Sequence, residues 1–444
     1  MASESEEESL LSSSESEFLS SSETESDSDE EQLSKVRDWC KIDTSKTQPV
    51  PPKFPFSACP GLKMTIKDAN DPLQFLLLFI DDEVVNIVVE ETNRYASQYL
   101  AATILSPRAR TRAWTETNPS EIKVFFALLL LQGIMQKPVE KWFWTQRPII
   151  STPSIGKIMT ERRYSLLMKF LHFENNETFD KSVHPQPKLK KIYTFSERLR
   201  QKFKNAYIPD RDIAIDESLL GYKGRLGWKQ YIATKRARFG IKIFQLCESS
   251  SGYIWNFVLY TGKGTKFDLR YEQFGVATKS AMTLIHDLLN KGYSLTLDNF
   301  YTSLELSELL IAGKTDICGT LRANRKGLPQ ELKSERLKKG EIMAFQKGKI
   351  CVLKWQDKKP ISFLSTYHGT DFETLSKNDK LIRKPTAIID YNKKMGGVDK
   401  ADQCLAYYPV IRNQQRKYYK KIFRHLLDQA VWNAFVIYTK CGSL

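Results

Sequence analysis

The sequence predicts an α/β fold with a helical N-terminal region and an all-β insertion, and three observations carry that expectation. Apolar residues recur at helical spacing from about residue 70 to 208, then change to alternation at about residue 211. From there two β-rich runs joined by a turn signal are followed by helices and strands in alternation. Short β-rich runs interrupt that alternation after residue 319, and helical spacing returns at the C-terminal end.

The elements follow in order. Residues 1–32 hold 12 acidic residues, much serine and no Lys or Arg. Such a segment cannot bury enough apolar surface to offset its chain entropy, so a disordered acidic tail is expected over 1–45. "TQPVPPKFPF" then favours extended backbone and opens a linker and helical region, 46–208. There "SEIKVFFALLLLQGIMQ" starts at a Pro119–Ser120 cap signal, and "ERRYSLLMKFLHF" and "TFSERLRQKFKNAY" repeat the spacing. "DIAIDESLL" alternates as a strand, and "FGIKIFQLC" and "GYIWNFVLY" form a hairpin across "ESSSG". "KSAMTLIHDLLNKG" reads as a helix stopped by Gly292, "YSLTLDNF" as a buried strand, and "YTSLELSELLIAG" as a helix boxed by Thr302 and Glu305. "TDICGTLR" is the fifth strand. The order β-β-β-α-β-α-β is that of a ribonuclease H-like core, placed at 209–318 and resumed at 373–444, with the β-rich insertion at 319–372 between them.

Charge narrows the partners. The chain of 444 residues has 67 basic and 52 acidic residues; taking the 12 of the tail from the 52 leaves 40, a formal +27 over residues 33–444. An excess of that size in a folded body points to a polyanion, most simply double-stranded DNA. The first residues are acidic rather than basic and apolar, so no secretory leader is expected. The longest apolar run, "VFFALLLL", is too short to span a bilayer, so no membrane partner is expected. Seven cysteines without a CxxC pair and five isolated histidines fit a reducing compartment and no zinc module.

Four aspartates are the candidates for chemistry. Asp216 lies on the first core strand and Asp298 at the carboxyl end of the fourth, where open α/β sheets collect ligands. Asp399 and Asp402, three apart, share one face of a helix that opens after Gly396–Gly397. Convergent carboxylates call for a cation, and hard Mg²⁺ or Mn²⁺ ions suit an all-oxygen set, two of them together serving phosphoryl transfer. The alternatives stand beside this. An aspartate at a helix start is commonly a cap, Asp298–Asn299 can be turn chemistry, and Asp212, Asp287, Asp316 and Asp390 are nearby competitors.

Three ordered stretches settle the preference. "AIDESLLGYKGRLGWKQYIATKRARFGIKIF", "LTLDNFYTSLELSELL" and "YNKKMGGVDKADQ" resemble the piggyBac transposase family, with support from "ERRYSLLMKFLHF" and "ISFLSTYHG". The likeness runs over roughly residues 70–440. It implies a ribonuclease H-like catalytic domain with a β-rich insertion. It also implies an aspartate triad on two metal ions at Asp216, Asp298 and Asp399, with Asp402 beside it. The implied reaction nicks the transposon end, forms and opens a DNA hairpin, and joins the end at TTAA. Homodimerisation and a nuclear location are further expectations.

For DNA itself the candidates are Lys223, Arg225, Lys229, Lys235, Arg236 and Arg238, interleaved with Tyr222, Trp228, Tyr231 and Phe239, and the pair Arg322 and Arg325. The basic start of the last helix is expected to serve packing and to present a solvated face. Family members commonly end in a cysteine-rich zinc module; this sequence closes on "YTKCGSL", where Cys441 alone cannot hold zinc, so no zinc is expected in this chain. The expectation is therefore a DNA-cleaving and strand-transferring enzyme, with a domesticated DNA-binding or chromatin protein as the alternative.

Overall fold

The computed structural model of the chain describes residues 39–46, 49–233, 235, 237–377, 380–412 and 415–442. The acidic stretch 1–32 and Arg236 lie outside the described residues. The described end of the expected tail is structured. Trp39 is buried and donates from Nε1 to the Gly327 carbonyl (2.9 Å), and Cys40–Lys41 form strand β1. The boundary at residue 45 is therefore too late. One indole and a two-residue edge pairing hold this short stretch on the body of the protein.

Among the described residues the N-terminal region holds strand β2 (Gly61–Leu62) and six α-helices: α1 (Pro72–Leu77), α2 (Asp82–Ala102), α3 (Pro119–Ile134), α4 (Pro153–Ile158), α5 (Glu161–Phe170) and α6 (Tyr193–Ala206). Side chains of Asp71, Asp81, Asn118 and Thr160 cap α1, α2, α3 and α5, each accepting from a backbone N–H that the helix itself leaves free. The expected signal at Pro119–Ser120 is displaced by one residue. Asn118 is the cap, and Pro119 takes the first turn, where its missing N–H costs nothing.

Beyond β3 (Tyr207–Ile208) come β4 (Asp212–Gly221), β5 (Gln230–Tyr231), β6 (Phe239–Glu248), β7 (Ile254–Leu259), α7 (Val276–Ile285), β8 (Ser294–Leu297), α8 (Leu304–Ala312) and β9 (Asp316–Leu321). The β-β-β-α-β-α-β order is present, with the short β5 added. Ser303, not Thr302, caps α8 by accepting from Leu306 N (3.2 Å). Thr302 Oγ1 instead donates to the Asp298 carbonyl (2.8 Å), and Glu305 accepts from Thr278 (2.8 Å). The adjacent Thr302 and Ser303 both offer a hydroxyl near the helix start, and only the backbone path selects between them.

Then follow α9 (Glu331–Ser334), β10 (Ile342–Lys347), β11 (Ile350–Gln356), β12 (Pro360–Ser365), the hairpin β13 (Phe372–Lys377) and β14 (Lys380–Pro385), α10 (Thr386–Lys394), α11 (Gly397–Leu405) and α12 (Tyr418–Cys441). Among the described residues one sheet of ten strands runs in the order β1-β10-β11-β12-β9-β8-β4-β6-β5, with β7 also on β6. Strand β8 is parallel to β4 and β9. The strands of the 319–372 stretch thus continue the core sheet, β12 pairing antiparallel with β9 from Ser362–Leu321 to Ser365–Cys318.

Two features tie the N-terminal region to this sheet. Helix α12 carries Phe423 among Phe126, Phe173 and Phe195, with ring centroids 4.9–5.3 Å apart. The next residue, the fully buried Arg424, pairs with Glu140 and donates to the Val410 carbonyl. The extended residues 52–57 lie against the sheet. Phe54 N donates to the buried Asp316 (2.9 Å), which Lys349 neutralises at 3.0 Å, while Arg211 donates to the Phe54 carbonyl (2.8 Å). Gly292, at φ +74°, leaves room for the Pro55 carbonyl, 2.0 Å from where a Cβ would stand. No helix of the described residues is long and apolar enough to cross a membrane.

Candidate active site

Strand register brings the first two aspartates together. Ile215 of β4 pairs with Leu297 of β8 in parallel, so Asp216 and Asp298 follow at the same level on neighbouring strands, about 5 Å apart in a sheet. Alternation points Asp216 and Ser218 to the face covered by α11. Helix α11 reaches that face because Gly397 packs on the end of β6; a Cβ there would lie 3.0 Å from the Glu248 carbonyl and 3.2 Å from Ser249 Cα. Gly396 has open space around it and is the residue before the first turn. Asp399 makes no capping bond; it faces Lys235, whose Nζ is 3.3 Å from its Oδ1. Asp402 accepts from Ser218 Oγ at 2.6 Å.

All four aspartates are partly exposed, so they line an open cleft rather than a sealed core. Burial, and then the charges of Glu217, Asp298 and Asp399, push the Asp216 carboxyl well above its ordinary range, against the pull of Lys235. Burial and the Glu217 charge push Asp298 up to about 7, despite hydrogen bonds from the Phe300 and Tyr301 backbone. Burial and Asp399 hold Asp402 at about 6, against Ser218 and Lys235. Lys235 is raised: its own burial opposes this, but Asp216, Asp399, Asp402 and Glu217 together outweigh it. The donor set is all carboxylate oxygen, with more negative charge than the nearby lysines neutralise. That chemistry fits hard divalent cations held by Asp216, Asp298, Asp399 and Asp402.

Sequence reasoning missed three neighbours, Glu217, Tyr301 and Ser218. Glu217 lies on the opposite face of β4 from Asp216, paired with Lys242 (3.5 Å) and accepting from Tyr301 Oη (3.3 Å). Its place directly beside Asp216 was the available signal, and alternation argues against it. Ser218, the third, is visible only once α11 is packed.

The expected DNA contacts divide. Lys223, Arg225 and Arg238 are exposed, and Tyr231 and Phe239 are exposed and paired with centroids 4.8 Å apart. Lys229 lies over the Phe239 ring at 5.3 Å. Tyr222 and Trp228 are buried, so they are not free to stack on bases. Lys235 turns inward to the carboxylates. Arg322 donates to Asn299 Oδ1 (3.1 Å), and Arg325 donates to the Asn299 and Phe300 carbonyls (3.1 and 2.6 Å). These two arginines thus brace the turn that follows Asp298. Of the basic residues before and within α12, Lys420, Lys421 and Arg424 are buried in the packing, while Arg416 and Lys417 are exposed.

The competing aspartates are each engaged elsewhere. Asp212 meets Lys394 (3.0 Å), Asp287 meets Lys204, and Asp316 holds the extended segment. Asp390 joins Cys318 and His368 in a second cluster whose ligand atoms lie within 4.8 Å of one another, although the sequence scatters them. There Asp390 is held by Lys394 (2.8 Å) and Tyr367 Oη (3.1 Å), His368 lies 3.3 Å away, and burial keeps the Cys318 thiol protonated. A resident ammonium and a neutral thiol make this a hydrogen-bonded knot under α10.

Comparison with known proteins follows the same outline. Residues 71–435 match the sequence model of the family described as Transposase IS4. The human PiggyBac transposable element-derived protein 3 is 27% identical over 419 residues, covering 90% of this chain and 66% of that protein. The human PiggyBac transposable element-derived protein 2 is 24% identical over 385 residues, covering 83% and 62%. The chain therefore spans about two thirds or less of the length of these relatives. Among solved structures it resembles the cryo-EM structure of a piggyBac transposase synaptic complex with hairpin DNA. The TM-score is 0.75 at 24% identity, over 87% of this chain and 78% of that one.

Proposed function

The chain belongs to the Transposase IS4 family and is of the piggyBac type, and we propose from that premise that it is a metal-dependent DNA transposase, or a transposon-derived descendant, with its active site at Asp216, Asp298, Asp399 and Asp402. The observation that carries the reading is the convergence of four partly exposed carboxylates from β4, the end of β8 and α11, with Asp216, Asp298 and Asp402 raised by burial and by neighbouring carboxylates. In this reading the sheet is a ribonuclease H-like core.

Bound there, two Mg²⁺ ions would supply Lewis acidity to the attacking and leaving oxygens of a phosphoryl transfer. The chain's own residues do the rest. The backbone N–H groups of Phe300 and Tyr301 and the Arg322–Arg325 brace fix the turn that presents Asp298. Ser218 orients Asp402. Lys223, Arg225 and Arg238 neutralise phosphates beside the cleft, and the exposed Tyr231–Phe239 pair offers faces for unstacked bases. Joining at TTAA, action as a homodimer and a nuclear location complete the reading.

The test needs no cognate DNA end. Purified protein is incubated with supercoiled plasmid and Mn²⁺, beside Asp298→Asn and an EDTA control. Nicking or strand joining lost in both controls supports the site. Equal activity of wild type and variant refutes its assignment. DNA binding without any nicking favours the platform alternative, a transposon-derived DNA-binding protein.

A further inference from the structure

One cation enters the carboxylate cluster from outside the acidic elements. Lys235 belongs to the connection between β5 and β6, and its Nζ lies 3.3 Å from Asp399 Oδ1, with its side chain only about a quarter exposed (27%). Backbone bonds hold the connection in shape: Ile232 N donates to the Arg238 carbonyl (2.7 Å) and Arg238 N to the Lys235 carbonyl (2.9 Å). Arg238 takes φ +46°, the left-handed region, which a non-glycine residue enters only where the surroundings hold it. The rest of this connection is directed otherwise. Arg238 is exposed, and the neighbouring Tyr231 and Phe239 rings face solvent.

Resting on the reading above, we propose that Lys235 is the resident counter-cation of the site, and that a divalent cation must displace it from Asp399. Mg²⁺ takes its oxygen ligands at about 2.0–2.1 Å, and a divalent charge that close to Asp399 repels an ammonium held on the same oxygen. Displacement frees the ammonium on the connection that also carries the exposed Arg238, so it joins the cations available to DNA phosphate. Metal loading and the DNA surface are thereby coupled: each tightens the other, as linkage requires of any shared two-state element. Lys235 thus sets how tightly the site binds metal, acting through Asp399.

The test is Mn²⁺ binding to the full chain, followed by calorimetry and by the electron-spin signal of free Mn²⁺. The wild type is compared with Lys235→Gln, Lys235→Arg, Lys229→Gln and Asp298→Asn. Lys235→Gln is expected to bind Mn²⁺ roughly tenfold more tightly, the scale of removing one adjacent like charge. Lys235→Arg keeps the charge and stays near wild type. Lys229→Gln removes a charge just before β5 but not from the carboxylates, and changes affinity less than about twofold. In the wild type, Mn²⁺ should also speed amide exchange at residues 232–239, which a merely structural lysine would not do. Unchanged or weaker Mn²⁺ binding by Lys235→Gln overturns the proposal while the active-site reading stands. Mn²⁺ binding that survives Asp298→Asn intact overturns the reading, and the proposal with it.

Discussion

Asp298 illustrates how much one side chain's surroundings decide. Its carboxyl is pushed up to about 7 by burial and Glu217, from an ordinary value near 3.8. The folded state therefore holds this proton more tightly than the unfolded chain does. The group favours folding most below the ordinary value, and that advantage is lost as pH rises through about 7. Asp298→Asn should accordingly raise Tm in EDTA at pH 8 by about 2–4 °C and by less at pH 5; a lower Tm at pH 8 would contradict the electrostatics. Arg325 works on the same turn. Its truncation to Ala leaves the Asn299 and Phe300 carbonyls without their donor, so a loss of about 1–3 kcal/mol in urea unfolding is expected, with Mn²⁺ binding weakened as well. At this scale the placement of the aspartates was legible, because the strand of Asp216, the strand end at Asp298 and the helix of Asp399 and Asp402 can each be read from local pattern. The cations were not. A basic run names its members without their directions, so Lys235, Arg322 and Arg325 were grouped with exposed residues that only packing separates from them.

At the scale of elements, α11 is placed by contact rather than by capping. Gly397→Ala forces a methyl against the Glu248 carbonyl and Ser249, neither of which is a flexible side-chain end. Gly396→Ala meets nothing within 4 Å and keeps a negative φ. The first change should shift α11 and abolish plasmid nicking with little effect on DNA binding, while the second should retain most activity. Matching losses in both would show that flexibility, not close approach, is what the glycine pair supplies. Strand and helix order in residues 211–321 could be read because periods of 2 and 3.6 are local. The pairing of β12 with β9 could not, since antiparallel addition at a sheet edge leaves no mark within either strand. Caps slipped by one residue for a related reason: Asn118 and Ser303 compete with adjacent polar residues, and backbone geometry decides.

Across the whole molecule, α12 and the extended segment 52–57 make the helical region and the sheet a single cooperative body. Arg424 is fully buried against Glu140. Glu140→Ala strands that charge and should cost about 3–5 kcal/mol of unfolding free energy. The loss should appear as one transition shared by tryptophan fluorescence and circular dichroism; two separated transitions would mean that the regions unfold independently. The unbroken sheet has a mechanical meaning too. From β7 to β1 its strands are joined edge to edge by hydrogen bonds, and the β9–β12 seam has no linker on which to pivot. It behaves as a girder: its two ends keep a fixed gauge, and anything lying across both must take up the protein's spacing.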